Sequence, residues 1–251
     1  MMDRKLIAAL ACRNQGSRLY GKPLQNLDID KGVCILDNII QSLKMTNSVD
    51  EIVLGISEGV ENKIFESYAV KHGLKYIVGD ETDVLSRLIQ CGKISNATDI
   101  FRVTTESPFR YFEMDLSLWT HHLDSCNDAT FLEDIIDGCG AEIIKLNALE
   151  RSHQLGEKKH RSELCTLYMR EHPNEFKIQR ILPPPELRRK DLRLTVDNPE
   201  DLVVCRRIYM HFRQLAPRIP VHGIVEYLDA NPDLVRLIAP FTEQGYSTMY
   251  L

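Results

Sequence analysis

Three cations surround small residues in one short stretch near the start of the chain. Arginine and lysine neutralise phosphate, and arginine can do so through two parallel hydrogen bonds. Glycine lets the backbone approach a ligand closely. The stretch therefore predicts a loop that binds a nucleoside triphosphate, although a solvated basic loop would have the same composition. In ACRNQGSRLYGKPL, residues 11–24, the cations are Arg13, Arg18 and Lys22 and the small residues are Gly16, Ser17 and Gly21.

The loop contains neither of the two common glycine-rich nucleotide motifs. The phosphate loop GxxxxGK[ST] and the dinucleotide pattern GxGxxG are both missing from residues 11–24.

Two acidic residues stand where predicted strands end. Glu106 follows FRVTT, and Asp197 lies between LRLTV and the helical stretch that begins NPEDL. Two carboxylates at one sheet edge could hold Mg²⁺, a hard cation that takes carboxylate and triphosphate oxygens. The alternatives are a cap for the following helix at Asp197 and an ordinary loop acid at Glu106.

Strands and helices alternate over the first half of the chain and would position these residues. The apolar runs KLIAALACR, VDEIVLGIS, LKYIVGD and DIFRVTT predict buried strands. The helices between them include one that ends at Gly73 and one capped by Thr82 or Asp83. This order predicts a mostly parallel α/β sheet. Ligands bind beyond the carboxyl ends of such strands, which is where the basic loop and Glu106 fall.

The second half of the chain is less regular. DATFLED, AEIIKLN, EFKIQRIL and LRLTV predict further strands. KKHRSELCTLYMREHP predicts a helix that Pro173 stops. Pro199 and the acids after it predict the start of a strong helix, and DLVRLI predicts a shorter one near the C-terminus.

Composition excludes several classes of protein. The net charge of −5 and the isoelectric point near 5.9 argue against general nucleic-acid binding. The seven cysteines are scattered without a CxxC pair, which predicts free thiols in a reducing compartment rather than a zinc site. The sequence shows no membrane-length apolar run and no signal-peptide core. We therefore expect a cytoplasmic protein.

Four motifs together resemble the cytidylyltransferases that make CMP-activated acidic sugars, the CMP-Kdo and CMP-sialate synthetases. The resemblance is greatest to their spore-coat polysaccharide branch, which carries ARxGSTRLPGK, DVLxR, VTGDCP and RLTVDTPEDL. This chain has ACRNQGSRLYGK, DVLSR, VTTESP and RLTVDNPEDL in the same order, over roughly residues 5–210. The resemblance implies a Rossmann-like, mostly parallel sheet of the nucleotide-diphospho-sugar transferase type. It also implies one domain, residues 1–251, with an α+β insertion at about 135–183 for acceptor binding and dimer contacts.

The resemblance further implies an activity and a set of site residues. CMP would pass from CTP to a sugar acid of the 2-keto-3-deoxy type, with release of pyrophosphate, in surface glycan biosynthesis. Arg13 and Lys22 would be catalytic, and Glu106 and Asp197 would hold Mg²⁺. The acceptor would contact Glu142, Arg161, Glu163 and Tyr168, and the protein would be a homodimer. The nucleotide would contact Ala11, Arg13, Gly16, Ser17, Arg18, Lys22, Ser57, Asp83, Arg87 and Thr105.

Departures from the branch keep other functions open. Thr105 and Glu106 replace its Gly-Asp pair, and the longer Glu must shift the metal geometry or lose the metal. A degenerate homologue that binds nucleotide or sugar without turnover would fit this change. A basic cluster (His153, Lys158, Lys159, His160 and Arg161) favours a phosphate or phosphonate acceptor. A related glycosyltransferase is a further alternative, but the DxD metal motif is missing at the expected place.

Overall fold

A seven-stranded sheet forms the centre of the molecule. The computed structural model describes residues 4–249, and the strand order in the sheet is β5-β4-β1-β6-β8-β7-β9. A small antiparallel hairpin of β2 and β3 lies apart from it. The strands are β1 (Leu6–Cys12), β2 (Asn26–Asp28), β3 (Val33–Cys34), β4 (Glu51–Ser57), β5 (Lys75–Gly79), β6 (Asp99–Val103), β7 (Ala129–Leu132), β8 (Ala141–Lys145) and β9 (Ile178–Ile181).

The predicted mostly parallel sheet is confirmed. Strand β1 pairs in parallel with β4 on one side and β6 on the other, and β5 continues the parallel half. Strand β8 runs antiparallel between β6 and β7, while β9 pairs in parallel with β7 at the edge. The consecutive apolar residues of β1 reflect burial on both faces of the sheet.

Helices cover both faces of the sheet, and alternate β1 side chains enter the two layers. Leu6 and Leu10 pack with one apolar cluster, and Ile7 and Ala9 pack with the other. None of the described helices is long and apolar enough to span a membrane. The helices are α1 (Ile35–Lys44), α2 (Ile64–His72), α3 (Val84–Ile94), α4 (Asp115–Asp124), α5 (Leu146–Leu155), α6 (Leu167–Glu171), α7 (Pro199–His211), α8 (Val221–Asp229) and α9 (Pro232–Met249).

Helix ends follow the predicted capping residues in two of three cases. Gly73 closes α2 in the left-handed region, with φ of 65°. The Asp83 carboxylate caps α3 by accepting a hydrogen bond from the backbone of Ser86 at 2.8 Å. The capping alternative for Asp197 is wrong, because Asn198 is the cap residue of α7 and its N–H donates to Asp201 Oδ2 at 2.8 Å.

Three predicted elements of the second half differ from the structure. LRLTV is not a strand, because it touches its neighbours only through an isolated bridge between Asp137 and Arg193 and through single backbone hydrogen bonds. KKHRSELCTLYMREHP is not one helix but a short 3₁₀ turn, Lys158–Arg161, followed by α6. DLVRLI lies within the longer α9. The segment 135–183 contributes β8 and β9 to the central sheet itself.

Candidate active site

A cleft of about 470 Å³ opens beyond the carboxyl ends of β1 and β6. The chain leaves β1 toward β4 on one side and later returns to β6 on the other, so the strand order reverses here. Open α/β sheets bind ligands at such a reversal. The walls come from five separate segments, at residues 11–23, 101–110, 132–142, 163–170 and 195–197, with two further residues, Val84 and Arg87, from α3.

The basic loop is held in a defined shape before any ligand arrives. Asn62 is fully buried, and its Oδ1 accepts a hydrogen bond from the Asn14 backbone at 2.8 Å. The loop closes on itself where Gly21, with φ of 62°, donates from its backbone N–H to the Asn14 carbonyl at 2.8 Å. A Cβ at Gly16 would lie 2.3 Å from the carbonyl oxygen of Leu19. The loop therefore requires these glycines for its conformation.

Asp197 is contacted by three cations. Lys22 Nζ donates to Asp197 Oδ1 at 2.5 Å, and Arg18 Nη2 lies 3.3 Å from the same oxygen. Arg193 Nη2 donates to Oδ2 at 2.7 Å. Burial alone would raise the pKa of Asp197, but the hydrogen bond from Lys22 and the three positive charges hold that pKa below its ordinary value. Asp197 is therefore an ionised carboxylate facing the cleft.

Glu106 faces the same cleft from the end of β6. Its main-chain carbonyl accepts from the Val196 backbone at 2.9 Å, which sets it beside the segment that carries Asp197. Thr105 Oγ1 donates to the Ala11 carbonyl at 3.0 Å and ties this loop to β1. Burial raises the pKa of Glu106, and the negative charge of Asp197 adds to the rise while Lys22 opposes it.

This donor set fits a divalent cation in one respect. Mg²⁺ is usually held by one or two carboxylates together with substrate phosphates, and two carboxylates are present. The Lys22 ammonium already pairs with Asp197, and its charge opposes the rise in the pKa of Glu106. No cluster of three or more His, Cys, Asp or Glu side chains suited to a metal is found among the described residues. A metal here would therefore need phosphate oxygens to complete its coordination.

A second group of charged residues lines the cleft, and its members are paired with one another. We call Arg102, Glu133, Glu142 and Arg170 the paired group. Arg102 Nη1 and Arg170 Nη2 donate to opposite oxygens of Glu142, each at 2.9 Å. Arg170 also contacts Glu133. Burial alone would raise the pKa of Glu142, but the two guanidinium charges and their hydrogen bonds lower it to about 2.

Two further predicted residues connect or support these groups. Arg13 Nη2 lies 2.9 Å from Glu163 Oε2 in an exposed pair, and both residues line the cleft. Arg87 is 1% exposed and donates to the Cys12 and Gly55 carbonyls at 3.3 and 3.2 Å. Burial lowers the pKa of Arg87. Arg87 thus brings a positive charge to the wall of the cleft at the end of β1.

The cleft brings together most of the predicted site residues. In its wall are Ala11, Arg13, Gly16, Ser17, Arg18, Lys22, Arg87, Thr105, Glu106, Glu142, Glu163 and Asp197.

The structure places the other four outside the cleft wall. Ser57 is fully buried and donates to the Glu58 carbonyl at 3.3 Å. Asp83 caps α3, pairs with His153 Nε2 at 2.8 Å and lies 3.9 Å from Arg161. Tyr168 stacks on His172 with ring centroids 4.1 Å apart. These contacts give each of the four a structural explanation.

The basic cluster that favours a phosphate acceptor lies outside the cleft wall as well. His160 and Lys159 both contact the Glu171 carboxylate, at 2.8 and 2.9 Å. His153 contacts Asp83. His153, Lys159 and His160 of this cluster are therefore already paired with carboxylates outside the cleft wall.

Sequence reasoning missed several cleft residues. Asp137 is 6% exposed, and burial raises its pKa to about 6 although Arg193 opposes the rise. In the sequence, Asp137 could have been noticed as an acid directly before a glycine, in the loop between β7 and β8. Arg193 lies behind the cleft wall, where it contacts Asp137 and Asp197, and in its RLTVD motif only the aspartate was predicted as a site residue. Arg102, Glu133 and Arg170 gave no local signal, because they meet only in the folded chain.

The chain is similar in sequence to two known proteins along most of its length. No protein-family model matches the chain. The chain is 26% identical over 230 residues to the spore coat polysaccharide biosynthesis protein SpsF of Bacillus subtilis, covering 91% of this chain and 95% of that protein. It is 27% identical over 242 residues to an uncharacterized protein of Methanocaldococcus jannaschii, covering 96% and 98%.

Solved structures share the fold. A cytidylyltransferase from Leptospira borgpetersenii superimposes with a TM-score of 0.83 at 21% identity, over 93% of this chain and 97% of that one. The CMP:2-keto-3-deoxy-manno-octonic acid synthetase complexed with CTP gives 0.61 at 14% identity, over 83% and 99%. The resemblance predicted from the four motifs is therefore confirmed: the chain is similar along nearly its whole length to a spore-coat polysaccharide biosynthesis protein, and it has the cytidylyltransferase fold.

Proposed function

We propose that this protein transfers CMP from CTP to a hydroxyl of a small acidic sugar and releases pyrophosphate. One observation carries the proposal. Lys22 and Arg18 converge on Asp197 at the carboxyl end of β1, in a cleft that Glu106 also faces. Similarity to SpsF and to the two solved structures supports the choice of CTP and of a sugar acceptor. A homodimer and a cytoplasmic location stay predictions.

Arg13, Arg18 and Lys22 would bind the triphosphate. Their present partners are Glu163 and Asp197, and the side chains of Arg13 and Arg18 are nearly half exposed. An exposed ion pair is weak, so exchanging a carboxylate for a phosphate costs little. These cations would neutralise the charge that builds on the leaving pyrophosphate.

Glu106 and Asp197 would hold Mg²⁺ once Lys22 has moved to phosphate. When bound, the metal would supply a Lewis acid that lowers the pKa of the attacking hydroxyl. Lys22, Arg18 and Arg193 together compensate the charge of Asp197, and the charge of Lys22 also acts on Glu106.

The acceptor hydroxyl would attack the α-phosphorus in line. A bond forms between that oxygen and the phosphorus, and the bond from the phosphorus to the bridging oxygen breaks, so pyrophosphate leaves with the bonding pair. Positioning supplies much of the acceleration in such a step. Glu142 and Glu163 lie in the cleft wall and could accept hydrogen bonds from sugar hydroxyls.

Pyrophosphate release tests this proposal. CTP, UTP, ATP and GTP would each be offered with Mg²⁺ and with a panel of sugar acids, sugar phosphates and phosphonates. We expect release with CTP and a sugar acid. Pyrophosphate release with a sugar phosphate or phosphonate only would show that the acceptor is not a sugar acid. No pyrophosphate release with any nucleotide and acceptor would contradict the proposed enzyme activity and favour a binding protein.

Asp197→Asn tests the metal role separately. The structure assigns the α7 cap to Asn198, and Arg193 retains Asp137 and Asp201, so the variant should fold. We expect turnover to fall by on the order of a hundredfold or more, because a charged metal ligand is lost. Partial recovery at high Mg²⁺ or with Mn²⁺ would support a weakened site. Full activity at low Mg²⁺ would remove the metal role.

Glu106→Asp separates an active enzyme from a degenerate homologue. The substitution restores the residue of the spore-coat branch. If Glu106 works in a site shaped around it, shortening the side chain should lower turnover. Turnover that appears only in Glu106→Asp would show that the natural chain is a binding protein.

A further inference from the structure

Asp137 is a charged residue in the cleft wall that the proposed mechanism leaves unused. Its carbonyl accepts from the Leu194 backbone at 2.7 Å, while the Glu106 carbonyl accepts from Val196 two residues further on. The same short segment therefore fixes Asp137, Glu106 and Asp197 along one side of the cleft. Gly138, with φ of 92°, packs so closely that a Cβ would lie 2.6 Å from the Thr195 nitrogen.

The carboxylate of Asp137 is short of hydrogen-bond donors. Its Oδ2 has no hydrogen-bond partner among the described residues. Arg193 Nη1 lies 3.2 Å away but is not aligned as a donor to it. Burying a carboxylate is costly, and Asp137 Oδ2 is itself shielded from solvent beside Arg193. A ligand in the cleft that donates a hydrogen bond to this carboxylate would add to the stabilisation that Arg193 gives.

Arg193 cannot satisfy Asp137 alone, because it serves three carboxylates. Its Nη2 bonds Asp197 at 2.7 Å and its Nε lies 3.0 Å from Asp201. Arg193, which is itself 1% exposed, is thus shared among three carboxylates, of which Asp197 also has Lys22 and Arg18 as partners. Asp137 has neither of these two cations, and its negative charge in the cleft wall suits a hydroxyl or another donor and disfavours a phosphate.

We propose that Asp137 binds the acceptor: its carboxylate accepts a hydrogen bond from a hydroxyl of the sugar, next to the reacting phosphate. This inference rests on the proposed function, because it assumes a sugar acceptor in the cleft. Gly138, Gly140 and Ala141, which have small side chains or none, line the cleft wall next to Asp137. Nucleotide binding does not depend on Asp137.

Steady-state kinetics on Asp137→Asn and Asp137→Ala test the proposal at pH 8, where the carboxylate is ionised. The acceptor is whichever sugar acid gives the highest wild-type rate. A hydrogen bond to a charged group is worth about 1.5–3 kcal/mol, so we expect the acceptor KM of Asp137→Ala to rise by about 10- to 150-fold. The CTP KM should stay within about threefold of wild type, as expected for a group with no part in nucleotide binding.

Asp201→Asn is the matched control. Asp201 is also buried and also contacts Arg193, but it does not line the cleft. An unchanged acceptor KM in this variant supports a direct contact by Asp137. Equal increases in both variants would show that the effect passes through Arg193 and would overturn the proposal. An unchanged acceptor KM in the Asp137 variants would overturn it too.

A binding measurement keeps the two proposals apart. If Asp137→Ala does not fold, Asp137→Asn, which keeps the side-chain shape, takes its place. If the wild type releases no pyrophosphate, the proposed function fails. The rise in melting temperature with millimolar 2-keto-3-deoxy-manno-octonic acid or N-acetylneuraminic acid is then compared between wild type and variant. A smaller rise in the variant supports acceptor binding by Asp137, and equal rises, including none, contradict it.

Discussion

The basic-loop group (Arg13, Arg18, Lys22, Glu106 and Asp197) and the paired group face one cleft but use their charges differently. In the basic-loop group, Asp197 pairs with both Lys22 and Arg18, and the side chains of Arg13 and Arg18 are nearly half exposed. In the paired group, every arginine bonds a carboxylate in a mostly buried network. The first group can exchange partners for a ligand. In the second group the charges already compensate one another.

Burial differs most between Arg13 and Arg18, whose side chains are 45% and 43% exposed, and Arg170, whose side chain is 12% exposed. Separating an exposed ion pair costs little, whereas removing one partner of a buried pair leaves an uncompensated charge away from water. A substitution in the basic-loop group should therefore change catalysis, and one in the paired group should change stability. The predictions below test that division.

Arg170→Ala should have the largest effect on folding. It removes one arginine from both Glu133 and Glu142, while Arg102 still contacts Glu142, and we expect this to cost up to about 3–5 kcal/mol of unfolding free energy. Urea unfolding would measure the loss. Arg180→Ala is the control, since Arg180 contacts the same Glu133 from an exposed position and should cost at most about 1 kcal/mol. Equal losses would contradict the division.

Lys22→Ala should have the largest effect on turnover. Losing one preorganised cation at developing negative charge lowers kcat by on the order of 10²–10³. The melting temperature should change little, because Asp197 keeps Arg18 and Arg193 as partners. Lys31→Ala, at an exposed turn outside the cleft, is the control and should leave both quantities unchanged. Near wild-type kcat/KM in Lys22→Ala would remove the phosphate role of the loop.

Glu142 should make stability depend on acid pH. Its folded pKa, about 2, is below its ordinary value of 4.5, so its contribution is complete above pH 4.5 and is lost as pH falls toward 2. The shift corresponds to on the order of 3 kcal/mol. Unfolding curves of wild type and Glu142→Gln should diverge above pH 4.5 and converge near pH 2. A constant difference in unfolding free energy across this pH range would mean that Arg102 and Arg170 do not lower the pKa of Glu142.

Asp83→Ala should have the smallest effect and sharpens the assignment of the DVLSR motif. Removing the cap of α3 costs about 1 kcal/mol, and Asp83→Asn should restore most of it. Because Asp83 lies outside the cleft wall, the KM for CTP should not change in either variant. A large rise in the KM for CTP would instead support the predicted contact between Asp83 and the nucleotide.

Much of the basic-loop group could be predicted from sequence, while the paired group could not. Arg13, Arg18 and Lys22 lie within ten residues, and short-range spacing with glycine is enough to suggest a phosphate loop. Arg102, Glu142 and Arg170 come from β6, β8 and α6, and no local pattern joins them. Ser57 and Tyr168 lie in plausible motifs, yet neither lines the cleft, because Ser57 is buried and Tyr168 stacks on His172.

Local sequence patterns were enough to predict the parallel half of the sheet, its helices and the position of the basic loop. Buried strands leave runs of apolar residues and amphipathic helices leave a helical period, because burial acts on neighbouring residues. The folded chain was needed to show that β8 runs antiparallel between β6 and β7, that Asn198 rather than Asp197 caps α7, and that Asp137 lines the cleft. These depend on which distant segments meet, and a contact between distant segments leaves no periodic signal along the chain.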